Sequence, residues 1–264
     1  VGRLSIWWDQ AADGPTNMAA DEVLAAEARR RVQPLVRLYR WDSPTVSLGA
    51  FQPIAEARSL GIVPGHGMVR RPSGGGAIVH GTDITYAVAV PAGHAWSRSP
   101  EVLYRAVHRP LVAELVSRGM DARLHEDGDA PSRGIADAFF CFSRRSPGDV
   151  VVSTGSAGDP PADAKVLGGA QRRQSGVVIQ HGSLLLRSNV TAPPAWRHPG
   201  IGDVGLAITD DGVDLASAWM TRLATALASD LDWEAGPFLA DHGRRTEADA
   251  ALVRYREARW CERR

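Results

Sequence analysis

Twenty-nine of the thirty basic residues are arginine, and the one lysine, Lys165, stands in Ala164-Lys165-Val166-Leu167-Gly168-Gly169-Ala170-Gln171-Arg172-Arg173. An ammonium is a compact donor on a thin stem. It can enter a narrow pocket, hydrogen-bond one carbonyl and change its pKa on burial, none of which a planar guanidinium does as well. In a chain that writes its surface cations as arginine, this singles out Lys165 for catalysis. The small residues after it permit a strand bend that aims the amine into a cleft. Gln180-His181-Gly182-Ser183-Leu184 follows in the next apolar run and adds an imidazole.

Two further segments carry chemistry. In Phe139-Phe140-Cys141-Phe142 the cysteine is by default a small buried hydrophobe. A nucleophilic role needs a cation beside the thiolate, and Lys165 is the candidate. In Arg70-Arg71-Pro72-Ser73-Gly74-Gly75-Gly76-Ala77-Ile78-Val79-His80 the glycines allow close backbone approach to a ligand and can form an anion-binding nest. No Gly-Lys-Ser/Thr follows, so this is not a nucleotide loop of the Walker type, and it is not a dinucleotide fingerprint. A plain hairpin turn also explains three glycines; the two arginines before them and the histidine after them favour a binding loop.

These groups need a scaffold. Strands are expected over residues 3–8, 35–41, 45–48, 68–71, 77–80, 84–90, 122–125, 138–142, 150–152, 165–167 and 177–186. Helices are expected from Asn17 to about Arg31 with Thr16 as the cap, near 56–60, over 100–118 with a kink at Pro110, and over about 214–229 and 246–259. Leu103, Val107, Leu111 and Leu115 sit at helical spacing and read as core, as does Trp7-Trp8. Residues 126–138, 153–163 and 188–205 read as loops rich in turn formers. The pattern is α+β, a largely antiparallel mixed sheet covered by helices, in a single domain over 1–264 with the C-terminal helices packed on it.

Thirty acidic residues balance thirty basic ones, and no long basic run marks a nucleic-acid surface. No apolar run reaches the length of a membrane span and the start lacks a signal-peptide pattern, so a cytoplasmic monomer is expected. Cys141 and Cys261 are too few for a disulfide framework and lack metal-ligand spacing, so no metal site is expected.

Asn17-Met18-Ala19-Ala20-Asp21, Leu38-Tyr39-Arg40-Trp41 with Val46-Ser47-Leu48-Gly49 and Phe51-Gln52, the Arg70 to His80 loop, Lys165 to Arg173, Gln180 to Leu184 and Tyr255 to Trp260 resemble, in that order, the biotin/lipoate protein ligase superfamily. The resemblance implies that superfamily's catalytic-domain fold and a bound medium-chain acyl group. Within it, Cys141 between the glycine loop and the lysine, and Gly81-Thr82-Asp83 after His80, are closest to the LipM-type octanoyltransferase branch. The chain is also expected to carry no accessory domain after its last helix.

The resemblance further implies Lys165 and Cys141 as catalytic residues, with Arg70, Ser73, Gly74, Gly75, Gly76, Ala77, His80, Gly168, Gly169, Ala170 and His181 binding substrate. Amides near Gly169 and Ala170 would stabilise an oxyanion. The implied donor is an octanoyl acyl carrier protein and the acceptor a lipoyl carrier domain or a glycine-cleavage H-type protein, with no cofactor, no nucleic acid and no membrane. The alternatives are an ATP- and Mg-dependent lipoate-protein ligase, in which Lys165 holds the adenylate, and a non-catalytic acyl-binding module. Two departures bear on substrate choice: the loop through Asp159-Pro160-Pro161 replaces the acidic pair and glycine common before the lysine, and Gly81 replaces a common Asp or His.

Overall fold

The structure, a computed structural model, describes residues 2–60, 67–126, 139–154, 163–190, 192 and 194–262. Of the loops expected at 126–138 and 153–163, residues 127–138 and 155–162, with Asp159-Pro160-Pro161, lie outside the described residues. In chain order the elements are β1 (Gly2–Trp8), α1 (Gly14–Arg31), β2 (Leu35–Tyr39), β3 (Thr45–Leu48), α2 (Ile54–Ser59), β4 (Gly67–Arg70), β5 (Ile78–His80) and β6 (Asp83–Pro91). Then come α3 (Pro100–Ser117), β7 (Ala122–Leu124), β8 (Val150–Ser153), β9 (Asp163–Gln174), β10 (Val177–Leu185), α4 (Val213–Ala226), β11 (Ser229–Trp233), α5 (His242–Arg256) and α6 (Ala258–Cys261).

Eight strands form the main sheet in the order β11-β1-β2-β6-β10-β9-β8-β7, and β4-β3-β5 form a small second sheet. In the main sheet β1 runs parallel to β2 and β11, and the other neighbours are antiparallel. Side chains alternate between its two faces. One face sends Leu4, Ile6, Val36, Leu38, Tyr86, Val88, Val178 and Leu184 against Leu103, Val107, Leu111 and Leu115 of α3 and Leu215, Trp219 and Leu223 of α4. The other sends Trp7, Leu35, Tyr39, Ala87, Ala89, Val177 and Ile179 against Met18, Val23, Leu24 and Ala28 of α1, with Tyr255 of α5 behind. The run of alanines on α1 lets that helix lie close to the sheet. The open part of this second face, roofed by the small sheet, is where the site forms.

Several local expectations change. Asp13, not Thr16, caps α1: its carboxylate accepts the Thr16 N–H at 2.8 Å, and Pro15 takes an early helical position where its missing N–H costs nothing. α3 keeps the extent expected for it, with Pro110 inside it. Residues 138–142 do not form a strand in the described part; Ala77 and Phe140 make an isolated bridge and Cys141–Ser143 turn as a single 3-10 helix. The helix expected to reach 229 ends at Ala226, because Ser229–Trp233 pairs in parallel with β1 at the sheet edge. β9 runs on to Gln174, well past Leu167.

Candidate active site

Lys165 reaches the site because β9 contains a bulge. Val150 of β8 faces Leu167 while Val151 faces Lys165, so Val166 is the extra residue. A bulge re-aims side chains at a cost in pairing. Here Val166 and Leu167 both enter the α3/α4 core, leaving Lys165 on the opposite face with Gly168. The bend expected from small residues is thus made by the bulge, and Gly168 supplies room: a Cβ there would lie 2.5 Å from Lys165 Cε and 2.8 Å from Nζ.

Lys165 Nζ donates to the Cys141 carbonyl at 3.1 Å and the Arg144 carbonyl at 3.0 Å, pairs with Asp149 Oδ2 at 2.7 Å, and lies 3.7 Å from Cys141 Sγ. The lysine and Asp149 side chains are 4% and 3% exposed, which makes this a buried ion pair. Burial pushes the Lys165 pKa down, but the negative charge of a Cys141 thiolate and of Asp149 outweighs it, and the net shift is up. Burial also raises the Asp149 pKa against the pull of Lys165, while the Ser146 N–H donates to its Oδ2 at 2.7 Å. Lys165 is therefore a fixed ammonium at neutral pH.

Cys141 is held from the other side by the glycine loop. Its N–H donates to the Ala77 carbonyl at 2.9 Å and the Ala77 N–H donates to Phe139 at 2.8 Å. A side chain at Gly76 would come within 2.6 Å of the Cys141 nitrogen, so that glycine permits the contact. Gln52 adds a bond from Nε2 to the Phe139 carbonyl at 2.7 Å.

Arg70 and Arg71 divide their work. Arg70 donates to the carbonyls of Gly49, Gln52 and Cys261, so it ties the loop to the C-terminal segment. Arg71 turns inward and donates to the Gly74 and Gly76 carbonyls at 3.2 and 2.8 Å and to the carbonyl and hydroxyl of Ser47 at 2.6 and 2.7 Å. Burial lowers its pKa to about 10, with the Cys141 charge opposing the fall, so it stays cationic at neutral pH.

A narrow cavity lies between the sheet and the loop, lined by Met18, Tyr39, Trp41, Arg71, Gly75, Ile78, His80, Thr85, Cys141, Gly169, Ala170, His181, Gly182 and Ser183. It holds about 340 Å³ of free space counted to its mouth, and the centre of a water molecule can move through only about 20 Å³ of it. Trp41 stacks on His80 with ring centres 3.9 Å apart and donates its indole N–H to Thr85 at 2.9 Å. A larger groove of about 1300 Å³ between α3 and α4 lies on the other face of the sheet and contains none of the residues singled out above. Among the described residues, no cluster of His, Cys, Asp and Glu could hold a metal ion.

Of the residues picked from sequence, Cys141, Gly75, His80, Gly169, Ala170 and His181 line the cavity. Ser73 sits behind His181, Gly168 lies beneath Lys165, Gly76 and Ala77 hold the Cys141 segment, and Gly74 packs beside Phe51. The two proposed oxyanion amides differ. Ser175 and Gly176, both at positive φ, close a two-residue hairpin with Gln174 opposite Val177. Counting by twos, Ala170 exchanges its backbone bonds with His181, while Gly169 faces the edge that β8 leaves open beyond Leu167. Tyr104 donates to the Gly169 carbonyl there at 2.7 Å, so Gly169, not Ala170, offers the available amide.

Asp149, Arg71, Tyr104, Ser47 and Asp21 were missed from sequence. Lys165 itself is the signal that could have found Asp149, since a buried ammonium needs a carboxylate. Tyr104 and His108 come from the site-facing side of α3; His108 bonds the Gly148 carbonyl at 2.6 Å and Tyr86 at 2.6 Å, beneath the Asp149 turn. Burial lowers the His108 pKa to about 4, so the neutral ring donates to Gly148 through Nδ1 and accepts from Tyr86.

Residues 13–198 match the lipoyl protein ligase A/B catalytic domain. The chain belongs to this family. The octanoyltransferase LipM of Kyrpidia tusciae is 37% identical over 176 residues, 64% of this chain and 61% of that protein. That of Symbiobacterium thermophilum is 37% identical over 187 residues, 67% and 63% of the two chains. The chain thus spans about three fifths of the length of the curated relatives it matches. The fold is similar to a bipartite lipoate protein ligase from Thermoplasma acidophilum, with a TM-score of 0.68 and 18% identity over 99% of this chain and 96% of that one. It is equally similar to a lipoate-protein ligase A bound with ATP, at 0.68 and 19% over 99% and 98%. No helix among the described residues of this family member is long and apolar enough to cross a membrane.

Proposed function

We propose that this chain moves an octanoyl group from an acyl carrier protein to a lysine of a lipoyl carrier domain, or of a glycine-cleavage H-type protein, through a thioester on Cys141. The observation that carries this reading is the 3.7 Å approach of Lys165 Nζ to Cys141 Sγ, with Asp149 holding the ammonium. A fixed cation stabilises a thiolate, the form of cysteine that attacks. The thiolate adds to the donor carbonyl, the carrier thiolate leaves and takes up a proton, and acyl-Cys141 remains. The acceptor amine then attacks, a C–N bond forms, the C–S bond breaks, and the Cys141 thiolate is restored with release of a proton.

An ammonium has three N–H groups, and Asp149 and the carbonyls of Cys141 and Arg144 engage all three. The acyl oxygen therefore gains Lys165 by displacing one of those carbonyls, with the Gly169 amide as the second donor. Arg71 adds positive potential across the cavity. This route uses no cofactor. ATP-dependent ligation of lipoate would instead give Lys165 the adenylate and need ATP and Mg; a sulfur placed against the lysine has no task in it. Both cysteines are free thiols, which suits a reducing cytoplasm.

The test is the mass of an acceptor lipoyl domain after incubation with octanoyl acyl carrier protein without ATP, beside free lipoate with ATP and Mg. Octanoylation in the first mixture supports the transferase. Modification only in the second overturns it in favour of the ligase.

A further inference from the structure

The cavity beside Cys141 has a neighbour. A second cavity with the same free space, about 340 Å³ counted to its mouth, adjoins it, and Ile78 of β5 lines both. His181 and Ser183 line the first and Leu185 lines the second, so the two follow one another along the same face of β10. Between them Ile78, Phe142 and Leu185 pack as one small apolar cluster, and Cys141 rests against it. The cysteine therefore sits at a partition. It lines the first cavity itself, while Phe140 and Phe142, its neighbours in the chain, line the second.

The walls of the second cavity are apolar, made chiefly by Phe140, Phe142, Leu185 and Trp196, and a few polar side chains interrupt them. His198 leans on Phe142 with ring centres 5.9 Å apart, and its Nε2 is buried without a hydrogen-bond partner among the described residues. Burial and the positive charge of Lys165 lower the His198 pKa to about 4, so at neutral pH the ring is uncharged and offers one N–H and one acceptor. A buried nitrogen left unpaired costs free energy that a bound polar group recovers. Arg187 stands at the rim. Its carbonyl accepts from the Thr82 hydroxyl at 2.7 Å, which fixes the backbone, while its guanidinium is exposed and has no carboxylate partner among the described residues.

A thioester donor has two halves that need different surroundings. The acyl chain is apolar throughout and suits the first cavity. The thiol that leaves carries, in an acyl carrier protein, an arm of amides separated by short methylene runs and closed by a phosphodiester. Apolar walls with a few placed polar groups and a cation at the rim match that arm. We propose that the second cavity is the subsite for the phosphopantetheine arm of the donor, with His198 bonding an arm amide and Arg187 the phosphate. The assignment rests on the transferase reading. The thioester then spans the partition, with its reacting carbonyl at Cys141, and the leaving thiolate withdraws on the side away from the acyl chain. The acceptor lysine must also reach Cys141, and charge argues against its using this route: its ammonium would meet the unpaired Arg187 guanidinium, with which a phosphate pairs.

Acylation of Cys141 is timed with octanoyl thioesters of phosphopantetheine, of pantetheine and of ethanethiol, which carry the whole arm, the arm without its phosphate, and no arm. The wild-type KM should rise in that order. Arg187→Ala should raise the KM for the phosphopantetheine thioester roughly tenfold more than that for the pantetheine thioester, the loss of one charge-assisted contact. His198→Ala should raise the KM for both arm-bearing thioesters about fivefold more than that for the ethanethiol thioester. Thermal melting checks folding, and the exposed Arg187 keeps the test open if His198→Ala does not fold. Equal changes for all three thioesters overturn the subsite and leave the transferase standing. So does an Arg187→Ala protein that acylates normally but passes its octanoyl group slowly to a lipoyl domain, since the cavity would then serve the acceptor. No acylation of the wild type by any of the three overturns the transferase itself, and the subsite with it.

Discussion

The Lys165 ammonium occupies the space that a side chain on Gly168 would fill, since a Cβ there would lie 2.8 Å from Nζ and 2.5 Å from Cε. The glycine after the bulge is thus the floor on which the lysine rests, and the lysine position depends on it. Gly168→Ala pushes the amine away from Cys141 Sγ. Because a displacement near 1 Å can cost about a hundredfold, acylation of Cys141 should fall by that order, followed by stopped-flow with an octanoyl thioester. The melting temperature should fall as well, since moving the ammonium loosens its buried pair with Asp149.

Asp149→Asn leaves a buried ammonium without its carboxylate, and breaking such a pair costs roughly 3–5 kcal/mol. Urea unfolding of the variant measures this. Adding Lys165→Met removes the orphaned charge and should return most of the stability, while acyl-Cys141 formation stays lost. A double variant as unstable as Asp149→Asn alone would show that the penalty lies elsewhere.

Arg71→Lys keeps the charge but loses the fork that spans Ser47, Gly74 and Gly76. Carbonyls left unpaired in a buried loop cost about 1–3 kcal/mol each. The variant should therefore melt lower and acylate more slowly, as thermal melting and stopped-flow acylation would measure.

The outline of the fold was readable in the chain because its signals are local. The alternating apolar runs of β6 and β10, and the spacing of Leu103, Val107, Leu111 and Leu115, each report one face of one element. β11 escaped because its residues, Ser229–Trp233, alternate without a strong apolar face, and only the edge of β1 makes them a strand. Among site residues, Cys141 and Lys165 announced themselves by type and neighbours. Arg70 and Arg71 could not be told apart, since which guanidinium turns inward depends on the phase of β4 against β3. Asp149 lies in unremarkable local sequence, and Asp21 stands in a motif that does not reveal its task; both matter through partners 16 residues away, Lys165 and Arg37.

Stability should depend on pH through His108. Its folded pKa, lowered by burial to about 4 from the ordinary histidine value of 6.5, means that the unfolded chain binds the proton first as pH falls. The stability that the neutral ring allows is fully present above about pH 6.5 and is lost as pH falls toward 4, to the extent of about 3 kcal/mol from this group. Urea titrations from pH 7 to pH 4 check the slope, and His108→Asn should lower stability at pH 7 while making the acid limb shallower.

The central claim is that Cys141 carries the acyl group. Intact-mass spectrometry of the protein mixed with octanoyl acyl carrier protein, without ATP, followed by peptide mapping, tests it directly. The account predicts one octanoyl group on Cys141, absent from Cys141→Ala and much reduced in Lys165→Met. A wild-type protein that gains no octanoyl group, or a Cys141→Ala protein that still octanoylates a lipoyl domain, would contradict it.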